Sequence, residues 1–406
     1  MLAKSYQDTI ELYASGMRGI LPSDDRCYTE QELIDIEKTA RLQGVWPVVF
    51  AVLKKLSENG VAEVPADKMA KWQMELNLKV MEYTLRQEAM YAFLENELSF
   101  SNPVMLKGDL MSDLYANPSL RFSGDTDLLI DPKDEKAVLA AFRKAGGEYM
   151  PRGENNNQAV CVHPKAGKFE IHISLDTKEV TEVWYDNLDF GAEEKRAVTL
   201  KNGHTVCALG ITDGAINMVL HFLKHFISGI AHLKMLGDSL LYLSHYWGEI
   251  DFLRVDAVMK QLGYEEIYET LKHIGAVYFG FEKFIKQEGL SKKAEKLLLD
   301  LHYCAQNGFS EEKLTTYNEY SKAKYEAYHQ KNYTDYRKEL TRRTRMERLF
   351  PKKTVLYGEY PVLLKQGWLL PFIWMVRIFK KVFGKKTVLP AENNPRLELM
   401  KELGLL

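Results

Sequence analysis

Cysteine is scarce in this chain: there are four in 406 residues (Cys27, Cys161, Cys207 and Cys304), and no CxxC pair. That excludes a disulfide framework and argues against a cysteine-built zinc site. Long hydrophobic runs are missing too. The nearest candidate for a membrane span, residues 368–376 (WLLPFIWMV), is shorter than the roughly 18 apolar residues required and contains Pro371. The first twenty residues (MLAKSYQDTIELYASGMRGI) carry charges every few positions and lack the apolar centre of a signal peptide. These absences lead to the expectation of a reducing, cytoplasmic compartment. No internal repeat or low-complexity tract is present. Neither sign of charge dominates, with 54 Lys+Arg against 56 Asp+Glu and a formal net charge of −2. Hydrophobic residues make up 46% and charged residues 27%, so a disordered chain, a collagen-like repeat and a polytopic membrane protein are excluded.

The near-neutral total hides a split. Residues 337–386 hold fourteen Lys+Arg and three Glu, a local charge of +11, which leaves −13 for the remainder. Arg337, Arg342, Arg343, Arg345, Arg348, Lys352 and Lys353 precede Tyr357, Tyr360, Trp368, Phe372, Trp374 and Phe379; Arg377, Lys380, Lys381, Lys385 and Lys386 follow or interleave. Three readings of this segment are open: a helix packed on the acidic body, an anionic membrane surface, or an anionic polymer. The acidic body offers no broad basic channel, so duplex DNA is not an expected partner.

The hydrophobic pattern predicts an α+β protein in four parts. Residues 1–98 are helical, with Pro47 marking a break or kink. Residues 99–209 alternate short strands with helices and form a small mixed-sheet core. Residues 210–330 are helical again, Thr212 or Asp213 serving as a cap. Residues 331–406 are the basic aromatic segment, ending in a polar tail with one short amphipathic run.

The sharpest local signal is Ser123-Gly124-Asp125-Thr126-Asp127-Leu128-Leu129-Ile130. Alternate side chains of a strand share a face, so Asp125 and Asp127 point together while Thr126, Leu128 and Ile130 point oppositely. Two carboxylates about 7 Å apart on one face repel unless a cation sits with them. A solvated strand end and a Mg²⁺ site are both open at this point. A third carboxylate follows in Lys168-Phe169-Glu170-Ile171-His172-Ile173-Ser174-Leu175, where Glu170 and His172 share the polar face of an alternating strand. If the two strands are neighbours, three carboxylates converge as in two-metal phosphoryl-transfer sites; the alternative is an exposed edge strand. Upstream, Lys107-Gly108 falls at a strand-to-helix turn, where glycine permits close phosphate approach and the lysine supplies charge. Arg121 could hold a phosphate or pair with the aspartates. His221 and His225, four apart on one helix face and followed by His232, are candidates for zinc, for the cleft, or for packing.

The stretch LKGDLMSDLYANPSLRFSGDTDLLI, followed by FEIHISL, resembles the DNA polymerase β-like nucleotidyltransferase superfamily, most closely a bacterial group of uncharacterised nucleotidyltransferases. The match covers about 70 residues well and continues more loosely through CALGITDGAINMVLHFLKHF. The resemblance implies that Asp125, Asp127 and Glu170 are the catalytic and metal-binding triad, holding two Mg²⁺ ions or Mn²⁺ in their place. It implies nucleotide binding by Lys107, Gly108, Arg121 and Gly124, and transfer of an NMP group from an NTP to a hydroxyl acceptor with release of pyrophosphate. Where the superfamily usually carries Gly-Ser at the turn, this chain has Gly108-Asp109. An acid facing a triphosphate would support a different outcome, a catalytically inactive nucleotide-binding or regulatory protein on the same fold.

Overall fold

A computed structural model describes residues 2–22, 28–60, 63–150, 158–175, 189–307, 313, 315–317, 319–321, 323, 350, 366–383 and 394–406. The side chains of residues 377–383, and the basic residues 337–353, 365, 385 and 386, lie outside that description, as does Cys27. The chain divides into two compact units, Met1–Tyr317 with Pro395–Leu406, and Asn318–Asn394.

The first unit opens with helices α1 (Lys4–Arg18), α2 (Glu30–Leu42) and α3 (Trp46–Glu58). Thr29 starts α2 through a reciprocal capping box with Glu32. Pro47 falls in the first turn of α3, where its missing N–H costs no helical hydrogen bond. It therefore marks a helix start after a break. The long helix α4 (Ala66–Glu97) follows.

A seven-stranded mixed sheet comes next, built from β1 (Val104–Met105), β2 (Asp125–Leu129), β3 (Glu148–Met150), β4 (Gln158–His163), β5 (Gly167–His172), β6 (Arg196–Thr199) and β7 (Thr205–Ala208) in the order β3-β4-β5-β2-β1-β7-β6. Two helices interrupt these strands, α5 (Asp109–Leu114) and α6 (Glu135–Lys144). β4 and β5 form an antiparallel hairpin, whereas β2 and β5 are parallel neighbours. The period of two sorts their side chains. Leu128, Phe169 and Ile171 pack in one apolar cluster with Met90, Phe93, Val138 and Phe142 of α4 and α6, which leaves the polar residues of β2 and β5 on the other face.

Helices α7 (Ile211–Ile227), α8 (Leu233–His245), α9 (Phe252–Leu262), α10 (Glu265–Val277) and α11 (Ser291–Asn307) complete the body. Gly210, not Thr212 or Asp213, occupies the cap position of α7. Asp213 is fully buried, accepts hydrogen bonds from the Gly191 and Glu193 amides and pairs with Arg254. The chain's last helix, α13 (Pro395–Glu402), belongs to this unit rather than to a polar tail. Its Arg396 is 3% exposed and reaches Asp300 and the Phe226 carbonyl, while Met400, Leu403 and Leu405 are buried.

In the second unit, helix α12 (Leu370–Phe383) buries Ile373 against Leu369, Leu370 and Trp374. Trp368, Phe372, Met375 and Val376 are exposed. No helix among the described residues is long and apolar enough to cross a membrane.

Candidate active site

The register between β2 and β5 assembles the site. Asp125 lies opposite Lys168, Asp127 opposite Glu170, and Leu129 opposite His172. Both acids of the DxD and the glutamate of the later strand thus share one face of adjacent parallel strands, as the alternation predicts. Their inward neighbours explain why the face cannot flip. Thr126 is buried and donates to the Met90 sulfur, and Phe169 is fully buried. A one-residue slip would drive the carboxylates into that core.

The turn that precedes this face is fixed from behind. Gly108 has φ 79° and ψ −119°, a conformation that a side chain would strain. Its carbonyl accepts from Arg121 Nη1 at 2.9 Å. Arg121 is 4% exposed; its Nε and Nη2 donate to Asp238 on α8 at 2.8 and 2.6 Å. Tyr115 donates to the same carboxylate at 2.7 Å. Burial works against both charges of the pair, yet each partner holds the other ionised: Arg121 is raised by Asp238, and Asp238 is held below the usual carboxylate range by Arg121. A phosphate could reach this guanidinium only by displacing Asp238. Asp109 is likewise turned away from the polar face, into the protein. It is 6% exposed and accepts from Tyr83 at 2.9 Å and Tyr91 at 2.7 Å, both on α4. Gly124 is exposed, and nothing lies within 4 Å of where its Cβ would be.

On the polar face itself, three carboxylates meet two ammonium groups. Lys107 Nζ sits 3.1 Å from Asp127 Oδ2 and 3.7 Å from Asp125 Oδ1. Lys168 Nζ sits 2.5 Å from Glu170 Oε1 and 3.6 Å from Asp125 Oδ2. His172 Nε2 lies 3.2 Å from Asp127 Oδ1. Burial alone would raise the Asp127 carboxyl, but Lys107 and His172 hold it below the usual carboxylate range. Burial likewise opposes the Lys107 charge, and the two aspartates raise its pKa.

Asp127 Oδ2 is buried and accepts no well-aligned hydrogen bond; the Lys107 ammonium, 3.1 Å away, is its ion-pair partner and helps hold it ionised. Ligand atoms of Asp127, Glu170 and His172 lie within 4.8 Å of one another, the one such group of three among the described residues. The group is two carboxylates and one imidazole, and Asp125 stands outside it; a buried carboxylate oxygen beside a second carboxylate fits a divalent cation. His221, His225 and His232 form no comparable group, so the zinc reading has no support. Burial pushes His221 well below its usual range, His225 down to about 3 and His232 down to about 4. His221 Nε2 lies 3.3 Å from Lys107 Nζ, so α7 does reach the site.

Sequence reasoning missed two participants. Lys168 alternates in phase with Glu170, and that signal was available. Lys234 carried none; it stands at the start of α8, donates to the Phe122 carbonyl at 3.0 Å, and is pulled down to about 8, chiefly by burial.

The paired acids of β2 and the third acid of its parallel neighbour β5 share one face of the sheet, and the Gly108 turn lies between β1 and α5. The chain belongs to the uncharacterised nucleotidyltransferase family, whose sequence profile matches residues 30–280. No curated protein and no solved structure matches it.

Proposed function

We propose that the chain transfers an NMP group from an NTP to a hydroxyl acceptor and releases pyrophosphate, with Asp125, Asp127 and Glu170 holding Mg²⁺ or Mn²⁺. The observation that carries this reading is the buried Asp127 oxygen without a well-aligned hydrogen bond, set among carboxylates on the β2–β5 face. A divalent metal bound there supplies charge neutralisation at the phosphates and lowers the pKa of the attacking hydroxyl.

The chain's own residues do the rest. His172, with Nε2 protonated, donates to Asp127 Oδ1 and so leaves Oδ2 for a cation. Gly108 admits the phosphates close to the backbone. Arg121 acts one step behind, fixing the Gly108 carbonyl against α8. In the transfer, the acceptor oxygen forms a bond to the α-phosphorus, and the bond from that phosphorus to the β-phosphate oxygen breaks. Pyrophosphate leaves with the electron pair, and the hydroxyl proton passes to Glu170. The inactive alternative drew its support from Asp109 facing a triphosphate. Its carboxylate instead is bonded to Tyr83 and Tyr91, which removes that support.

The test is incubation with Mg²⁺ and each labelled NTP across a set of acceptors, including alcohols, glycans, proteins and RNA ends. Pyrophosphate release that disappears in Asp127→Asn supports transfer. Nucleotide binding without turnover for every acceptor supports the inactive reading.

A further inference from the structure

The geometry points to Lys107 as a tethered stand-in for the metal, holding the cation position in the free protein and giving it up when metal and nucleotide arrive together. Its ammonium bridges the two DxD carboxylates, 3.1 Å from one and 3.7 Å from the other. A divalent ion held by these carboxylates would compete with that ammonium for the same oxygens. Lys168 bridges Asp125 and Glu170 in the same fashion, so three carboxylates already face two positive charges.

The two lysines differ in what they can do. The Lys168 side chain is 42% exposed, and solvent screens it; the Lys107 side chain is 15% exposed. Lys107 also stands between Leu106, whose amide donates to the Asp127 carbonyl beside the end of β1, and Gly108, so its backbone is fixed by the sheet and the turn. His221 offers its ammonium a neighbour other than the carboxylates: Nε2 lies 3.3 Å from Nζ, and burial keeps this imidazole neutral and therefore able to accept.

The consequence is coupling. A free divalent ion entering the site must displace Lys107 and leave its charge uncompensated, so metal alone binds weakly. An NTP brings negative phosphates that take up the displaced ammonium, so metal and nucleotide strengthen each other's binding. This second half rests on the nucleotidyl-transfer reading; the first half does not.

The experiment is a Mn²⁺ titration of the full chain, followed by the electron-spin resonance of free Mn²⁺, with and without the α,β-methylene analogue of each of the four NTPs. Wild type, Lys107→Met and Lys107→Arg are compared, with circular dichroism as the folding control. Wild type is expected to bind Mn²⁺ about tenfold or more tightly with an analogue than without. Lys107→Met is expected to bind Mn²⁺ alone about tenfold or more tightly than wild type, because removal of a unit charge beside the carboxylates leaves room and attraction for another. Lys107→Arg is expected to stay near wild type. Tight Mn²⁺ binding by wild type without nucleotide overturns the proposal even if Lys107→Met fails to fold. So does a folded Lys107→Met with no gain. If Lys107→Met gains Mn²⁺ affinity but no analogue binds, the coupling half falls together with the nucleotidyl-transfer reading, and the stand-in role remains.

Discussion

Around Arg121, the strong polar groups are closely partnered: two of its nitrogens donate to Asp238, a third to the Gly108 carbonyl, and Tyr115 completes the carboxylate. On the neighbouring β2–β5 face, three carboxylates crowd together, two ion contacts exceed 3.5 Å, and Asp127 Oδ2 is buried without a well-aligned hydrogen bond. Both clusters are ionic and largely buried. The first is closed, as a structural pair must be if its desolvation is to be offset. The second is left open, at some cost to stability, as a binding site must be. Between these two clusters it is the geometry of the polar contacts, not the mere presence of charge, that differs.

Substitutions in the two clusters should therefore behave in opposite ways. Asp127→Asn should lower nucleotidyl transfer at least about 10³-fold, the scale of removing a metal ligand in phosphoryl transfer. Its unfolding free energy should fall by less than about 2 kcal/mol, since the burial cost of the charge is removed together with its attraction to Lys107 and His172. Arg121→Met should do the reverse, costing about 3–5 kcal/mol in denaturant unfolding by leaving Asp238 buried and unpaired. The double variant Arg121→Met/Asp238→Asn should recover most of that loss.

Asp109→Ser, which restores the superfamily's usual Gly-Ser, is expected to destabilise by about 1–3 kcal/mol through the orphaned Tyr83 and Tyr91 hydroxyls. It should bring no gain in nucleotide affinity by calorimetry. The smallest effect concerns pH. His221, His225 and His232 have folded pKa values below their ordinary one, so they stay neutral in the native state while the unfolded chain takes up protons below about pH 6.5. Their contribution is full above that pH and is lost as pH falls towards about 4. Asp127 and Asp238, held below the usual carboxylate range, add a loss only in the more acidic window below about pH 4. His225→Gln should flatten the upper window by at most about 1.4 kcal/mol per pH unit.

The acid set was legible because strand alternation has a strict period: the Asp125/Asp127 and Glu170/His172 pairs each had to share a face, and only the pairing of the strands was missing. The helix break at Pro47 was legible for an equally local reason, the ring's missing N–H. What could not be read were contacts between elements far apart in sequence. Arg121 finds Asp238 across 117 positions, and Asp109 finds tyrosines on the preceding helix; no local pattern marks either. Arg396 locks α13 onto the body through Asp300, so a truncation before residue 337 would remove part of the main unit along with the basic segment. A test of that segment requires an internal deletion that keeps residues 395–406.

The central claim, that the open cluster is where metal and nucleotide meet, is tested most directly by a crystal structure with Mn²⁺ and a bound α,β-methylene NTP analogue, read by anomalous scattering. The account expects a manganese peak among Asp125, Asp127 and Glu170, with the Lys107 ammonium withdrawn from Asp127. A peak elsewhere, or a fully occupied nucleotide with Lys107 still seated between the aspartates and no metal beside them, would contradict it.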